Sequence, residues 1–336
     1  PVITALSPRS GPISGDTLVS FQLAFATESG PQSRDDFETW LAYLGHTNMT
    51  VKLTGWDGVD VDGDPVNAKN NEYEGDAWYD LATGLVNCYI RSFVDEVAAF
   101  EVPVPGETSY STAELMAEYM QYTRSKKQFY FYDIPVTVTD FSPRYGPDSG
   151  FTAISVEGSK LVTNAIIDTE VRCKLGDQVG FQATFIAGTG ILLCLNDDYR
   201  NHLECGPAFG GIECPVETDL PLKIALNGQQ YTEDAMLFKL YRTPVEVWQF
   251  DPLSGPLNGR TRTVINGINF MDTGTISCKW GIDREAVAPA EYVDGIILCQ
   301  SPDVSSLDDP YSTGEYDLGV ALNGQQYSTV PRTRSV

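Results

Sequence analysis

Three stretches of this 336-residue chain open alike: PVITALSPRSGPISG from Pro1, PVTVTDFSPRYGPDSG from Pro135 and PVEVWQFDPLSGPLNG from Pro244. Each carries the pattern P-x-x-G-P-x-S/N-G, at Pro8–Gly15, Pro143–Gly150 and Pro252–Gly259. Such recurrence marks an internal repeat. Outward from it, a glycine, an apolar run and a cysteine recur at Gly84–Cys88, Gly190–Cys194 and Gly295–Cys299. A third landmark, ALNGQQY, occupies Ala225–Tyr231 and Ala321–Tyr327, while the first segment keeps only MQYT at Met120–Thr123. The landmarks hold their order, so the chain divides into domains 1–134, 135–243 and 244–336.

Inside each segment the signals are those of strands. Val136-Thr137-Val138, Ile191-Leu192-Leu193 and Phe129-Tyr130-Phe131-Tyr132 are β-branched or aromatic runs bounded by Gly, Pro, Asn and Asp. Asn227-Gly228 and Asn323-Gly324 are hairpin-type dipeptides, suited to positive φ. Short strands punctuated in this way over about 90–110 residues indicate a β-sandwich. The expected class is all-β, with three tandem sandwiches.

The Pro-x-x-Gly-Pro opening, the Gly-apolar-Cys strand and the closing LNGQQY resemble the IPT/TIG immunoglobulin-like domains. The resemblance covers the second and third segments throughout and both ends of the first. It implies a fold and little about function, because that family serves receptors, adhesins, transcription factors and carbohydrate enzymes alike. It brings no catalytic residues with it.

Forty-six acidic side chains against 22 Lys plus Arg give a net charge of −24. That excess argues against nucleic acid, which is bound through cations that neutralise phosphate, and against anionic membranes. The first domain holds twenty acidic and eight basic residues, so half of the excess lies there. No apolar run approaches the roughly 18–20 residues that span a bilayer. The chain begins at Pro1 with no apolar leader, which leaves secretion open.

Cys173 and Cys194 stand 21 positions apart, as do Cys278 and Cys299, with matching flanks (VRCKLG, ISCKWG). One disulfide per domain is expected, the alternative being two buried thiols. The second domain also has an insertion, CGPAFGGIEC, bounded by Cys205 and Cys214. A third disulfide closing a surface loop is the simplest reading. Zinc competes weakly, since the spacing is not C-x₂-C and only His202 is near. Three disulfides point to an extracellular or cell-surface protein. Cys88 remains unpaired, with Leu53 at the aligned partner position, and is expected to be an inert buried thiol.

The first domain is lengthened by insertions. SRDDFETWLAYLG, Ser33–Gly45, reads as a helix capped by Ser33 and stopped by Gly45, with Phe37, Trp40, Leu41 and Leu44 on one face. STAELMAEYM, Ser111–Met120, reads as a second helix with Ser111 and Glu114 in capping-box spacing. Between them Asp57, Asp60, Asp62 and Asp64 alternate as hard oxygen ligands for Ca²⁺ do, although the spacing is not that of an EF-hand. A solvated acidic loop is the alternative. Asn48-Met49-Thr50 is the chain's N-glycosylation sequon.

No nucleophile elbow, P-loop, dinucleotide fingerprint or H-E-x-x-H zinc motif occurs, and His46 and His202 fall in different repeats. The expected function is therefore non-catalytic: a stiff extracellular structural or adhesive rod, with a receptor ectodomain or carbohydrate-binding protein as alternative. After Thr232 the second repeat continues EDAMLFKLYR, whereas after Ser328 the third continues TVPRTRSV. A third domain lacking its last strand would offer an open edge and invite head-to-tail self-association.

Overall fold

The computed structural model describes residues 2–25, 33–45, 47–54, 72–92, 109–117, 127–161, 169–178, 180–203, 205, 214–233, 236–281, 286–303 and 317–328. The described chain is all-β apart from one α-helix, Arg34–Leu44, and a 3₁₀ turn at Arg200–His202. Its strands form three separate hydrogen-bonded sets.

The first set runs in the order Val2–Ser7, Thr17–Ala24, Leu85–Ile90, Glu72–Asp80, Asn48–Thr54, Ser109–Ala117, Lys127–Tyr132, Ser10–Pro12. The second repeats that order strand for strand: Thr137–Ser142, Ala153–Ser159, Leu192–Leu195, Phe181–Phe185, Arg172–Leu175, Glu217–Ala225, Met236–Tyr241, Tyr145–Pro147. Among the described residues the third has six members: Glu246–Asp251, Arg262–Ile268, Ile296–Gln300, Ala286–Val293, Ser277–Trp280 and Leu318–Ala321. In the first two units the short strand of the Pro-x-x-Gly-Pro motif pairs parallel with the last strand, Ser10–Pro12 on Tyr130–Tyr132 and Tyr145–Pro147 on Lys239–Tyr241. Among the described residues Ser254–Pro256 has no such partner.

Period-2 alternation explains the three cores. Thr17–Ala24 buries Thr17, Val19 and Phe21, and Phe181–Phe185 buries Phe181, Ala183 and Phe185. Each unit has its own cluster of buried residues. The clusters overlap at the boundaries in one respect. Tyr132, at the end of the first unit's last strand, packs into the second core, and Tyr241 packs likewise into the third. Burial raises both phenol pKa values, so each boundary tyrosine stays neutral.

Within the second and third cores Cys173 is bonded to Cys194 and Cys278 to Cys299, all four at 2% exposure or less. Cys205 and Cys214 are bonded at the rim, both half-buried. Cys88 is a free buried thiol, its pKa pushed up to about 12 by burial alone. Mild reductant plus an alkylating reagent is therefore expected to label Cys205 and Cys214 in the native protein. The other five cysteines should label only after unfolding. Mass spectrometry of the alkylated peptides checks this, and native labelling of Cys88 or Cys173 would refute it.

The ladder register corrects the alignment at Cys88. Val171, Ala183 and Cys194 stand in one row across three strands, as do Met49, Ala77 and Cys88. Cys173 lies two residues beyond Val171, so its counterpart is Val51, not Leu53. The next strand agrees, since Val51 faces Leu115 as Cys173 faces Ile224 and Cys278 faces Val320.

The helix Arg34–Leu44 forms as its sequence dictates. Ser33 Oγ accepts from the Asp36 N–H at 3.1 Å, and Gly45 stops it with φ +74°. Its buried residues are Phe37 and Leu41, with Phe37 edge-on to Tyr79 at 5.2 Å, so the helix covers the first core. The second expected helix is absent. Residues Ser109–Ala117 form a strand between Asn48–Thr54 and Lys127–Tyr132. Leu115 there is buried at the position of Ile224 and Val320, and two strand ladders outweigh a local capping pattern. The remainder of that stretch, 118–120, lies outside the described residues.

Candidate functional site: the joints between units

The Pro-x-x-Gly-Pro motif ends each time in two consecutive left-handed residues. Gly15, Gly150 and Gly259 have φ +83°, +81° and +71°, and the residues after them, Asp16, Phe151 and Arg260, have φ +60°, +62° and +65°. A Cβ on Gly15 or Gly259 would sit 2.3 Å from facing backbone, so close approach fixes glycine there. The following N–H closes the turn against a carbonyl at or one residue past the end of the facing strand, at 2.8 Å in all three units: Asp16 to Ile90, Phe151 to Asn196, Arg260 to Ser301. This turn holds the first residues of the next strand at the end of the unit.

Against that end, in the first two units, lies the Asn-Gly-Gln-Gln turn of the unit that follows. Asn227 Oδ1 accepts from the N–H groups of Gln229 and Gln230, which folds the turn upon itself. Gln229 then pairs with one strand residue by both ends of its amide: Leu18 N–H donates to Oε1 at 3.0 Å and Nε2 donates to the Leu18 carbonyl at 2.8 Å. Gln230 Nε2 donates to the Asp16 carbonyl at 2.9 Å and its Oε1 accepts from the Thr17 hydroxyl at 3.2 Å. Asn227 Nδ2 reaches the Ser10 carbonyl and Thr17 Oγ1.

The second joint repeats the first. Ala153 N–H donates to Gln325 Oε1 at 2.8 Å and Gln325 Nε2 donates to the Ala153 carbonyl at 2.9 Å. Gln326 joins the Phe151 carbonyl and the Thr152 hydroxyl, and Asn323 Nδ2 reaches Thr152 Oγ1. Thr17 and Thr152 are fully buried, and Asn227 and Asn323 are 4% exposed. A primary amide presents one donor and one acceptor side by side, as a strand residue does. Each glutamine thus covers the free polar groups at a strand end.

Glu170 adds a contact to the first joint, accepting from Arg9 N–H at 2.5 Å and from the Ser10 hydroxyl at 3.3 Å. Burial raises its pKa, and these two bonds lower it in part. A raised acid pKa means that the folded state holds the proton longer than the unfolded chain does. Its contribution is therefore most favourable in acid and declines as pH climbs from the ordinary carboxylate value through the raised one. Glu170→Gln is expected to gain stability over the parent across that window and to match it in acid. Paired thermal melts over pH check this, and parallel pH profiles would refute it.

A cleft of about 550 Å³ opens beside this joint, lined by Leu18, Glu170, Arg172, Asn227, Gln229 and Tyr231 among others.

Of the residues expected from sequence, Asn48 is exposed at the start of its strand. Asp57, Asp60, Asp62 and Asp64 lie outside the described residues. Among the described residues no three His, Cys, Asp or Glu stand close enough to share a metal ion, and no helix is long and apolar enough to cross a membrane. Trp78 and Tyr89 form a half-open ring pair on neighbouring strands, centroids 6.0 Å apart, and Trp248 is exposed on the third unit. The joint residues themselves escape a reading for turns. Asn-Gly alone satisfies a hairpin, so the signal was the pair of glutamines repeated behind it, which no turn requires.

No protein-family model matches the chain, and no curated protein sequence matches it. Among solved structures it is similar to the Plexin A4 full extracellular region, at 15% identity and TM-score 0.42, over 99% of this chain and 24% of that one. It is also similar to a tetra-tandem repeat from the extending region of a large adhesion protein, at 12% identity and TM-score 0.20, over 95% and 68%. A third likeness is to the ICAM-5 D1–D4 ectodomain fragment, at 10% identity and TM-score 0.24, over 90% and 75%. The chain spans about a quarter of the plexin chain that it resembles.

Proposed function

We propose that the chain is a stiff, non-catalytic stretch of an extracellular structural or adhesive protein, built of three tandem immunoglobulin-like domains of IPT/TIG type. The joint carries this reading. A connection made twice with the same side chains, each sealed by a tyrosine buried in the next core, holds successive domains at a set angle. Domains meant to move independently are joined instead by solvated linkers. The three disulfides suit an oxidising compartment.

Negative-stain micrographs of the purified chain test the proposal. The expected particles are extended and of one length, unchanged from low to high salt, because the joints are made by neutral amides. A broad spread of bend angles at either joint would overturn it.

One observation favours a second reading, carbohydrate binding. The exposed Trp78–Tyr89 pair offers aromatic faces of the kind on which sugar rings stack. A glycan array comparing the parent with Trp78→Ala distinguishes it, since a sugar signal lost in the variant belongs to this platform.

A further inference from the structure

We infer that the third unit carries another copy of the receiving half of the joint, and that its occupant is the Asn-Gly-Gln-Gln turn of a further repeat of the same kind joined behind it. The inference rests on reading the two filled joints as rigid connections, and names what fits next.

The turn, the threonine and the strand position that both filled copies use recur in the third unit. Gly259 and Arg260 form the same pair of left-handed residues, and Gly259 N–H donates to Pro256 as Gly15 does to Pro12 and Gly150 to Pro147, each at 3.0 Å. The threonine is present: Thr261 matches Thr17 and Thr152, and all three hydroxyls crowd a motif glycine in the same way, Gly255 matching Gly11 and Gly146. Ser301 N–H donates to the Thr261 carbonyl as Asn196 N–H does to that of Thr152. Arg262, paired with Gln300, therefore falls at the non-bonded place in the ladder, like Leu18 opposite Tyr89 and Ala153 opposite Leu195. Its N–H and C=O point away from that neighbour, as do those that Gln229 and Gln325 cover on Leu18 and Ala153.

The surroundings are more open than in the filled copies. Thr17 and Thr152 are fully buried, whereas Thr261 is half-buried and Arg260 and Arg262 are exposed. Leu253 and Leu257 flank the place at 76% and 43% exposure, where the first unit has half-buried Arg9 and Ile13.

A second copy of this chain has no turn to give. Its two Asn-Gly-Gln-Gln turns are already seated, Asn227–Gln230 on the first unit and Asn323–Gln326 on the second. By the register that places Leu115 with Ile224, the first unit has the sequence Glu118-Tyr119-Met120-Gln121 at that point. Both filled joints also have one polarity, the socket of each unit taking the turn of the unit after it.

The test extends the full chain behind Val336 by a flexible Gly-Ser linker. The linker carries a hairpin with the sequence of residues 222–233, closed by a disulfide between its ends. Amide exchange of Arg262 is read by NMR with labelled arginine. At the effective concentration that a short tether gives, the seated turn is expected to slow Arg262 exchange at least about fivefold. Thr261→Val in the socket, or Asn227→Ala, Gln229→Ala and Gln230→Ala made in the appended hairpin only, should abolish the slowing. Unchanged exchange with the intact hairpin, or equal slowing with the altered one, overturns the proposal. Concentration-dependent slowing in the unextended chain would assign the place to a second copy and overturn it as well. The amides of Leu18 and Ala153 serve as internal controls. If they exchange freely, the filled joints are not rigid, a failure distinct from that of the third socket.

Discussion

Replacing Asn227, Gln229 and Gln230 together by alanine is expected to unlock the first joint while leaving all three cores folded. Six hydrogen bonds between the turn and the first unit are lost: those to Ser10, Asp16 and Thr17, and the pair on Leu18. At roughly 0.5–1.5 kcal/mol each, discounted because half of them lie at the exposed rim, the loss is about 3 kcal/mol. That corresponds to about a hundredfold rise in the population of the open joint, and so in the exchange rate of the Leu18 amide. The Ala153 amide in the second joint should be unaffected. Micrographs should show bending at one place along the particle. If Leu18 exchange stayed unchanged, the turn would not be what holds the units.

Gly150→Ala is expected to cost more, above about 3 kcal/mol, and to act on the second unit itself. The added Cβ would lie 2.4 Å from both the carbonyl carbon and oxygen of Asp197, and φ is +81°. Backbone on the far side cannot turn away as a flexible side chain can, so a strand end must shift. That shift also displaces Phe151 and Thr152, which receive Gln326. Gly188→Ala is the control, since it too has positive φ but has nothing within 4 Å of the new atom. It should cost only about 1 kcal/mol. Chemical denaturation of the three proteins checks both, and similar midpoints for the two variants would show that the close approach carries no weight.

Much of the fold could be read in the sequence because the chain states it three times. Each copy of Pro-x-x-Gly-Pro ends in the same left-handed pair, and each Gly-apolar-Cys run is the strand whose cysteine faces the core. Legibility failed where only local pattern was available. Ser111 and Glu114 have capping-box spacing, yet Ser109–Ala117 is a strand because ladders on both sides require one. The aligned partner of Cys88 was misplaced by two residues, from Val51 to Leu53, since one strand of pairing register cannot be counted through an unequal loop. The joint was missed for a deeper reason. Glutamine has no strong structural preference, and its role on Leu18 exists only when two units are already beside each other.

Among the described residues the middle unit has both halves of the connection engaged, its turn seated on the first unit and its receiving strand end filled by the turn of the third. The contacts that both joints share fall on backbone groups, a threonine and a buried tyrosine, and Glu170 adds one more at the first joint. Duplicating or deleting residues 135–243 therefore leaves every remaining connection matched. Overall length becomes a quantity that gene duplication can change in whole steps, with no compensating substitution at the seams.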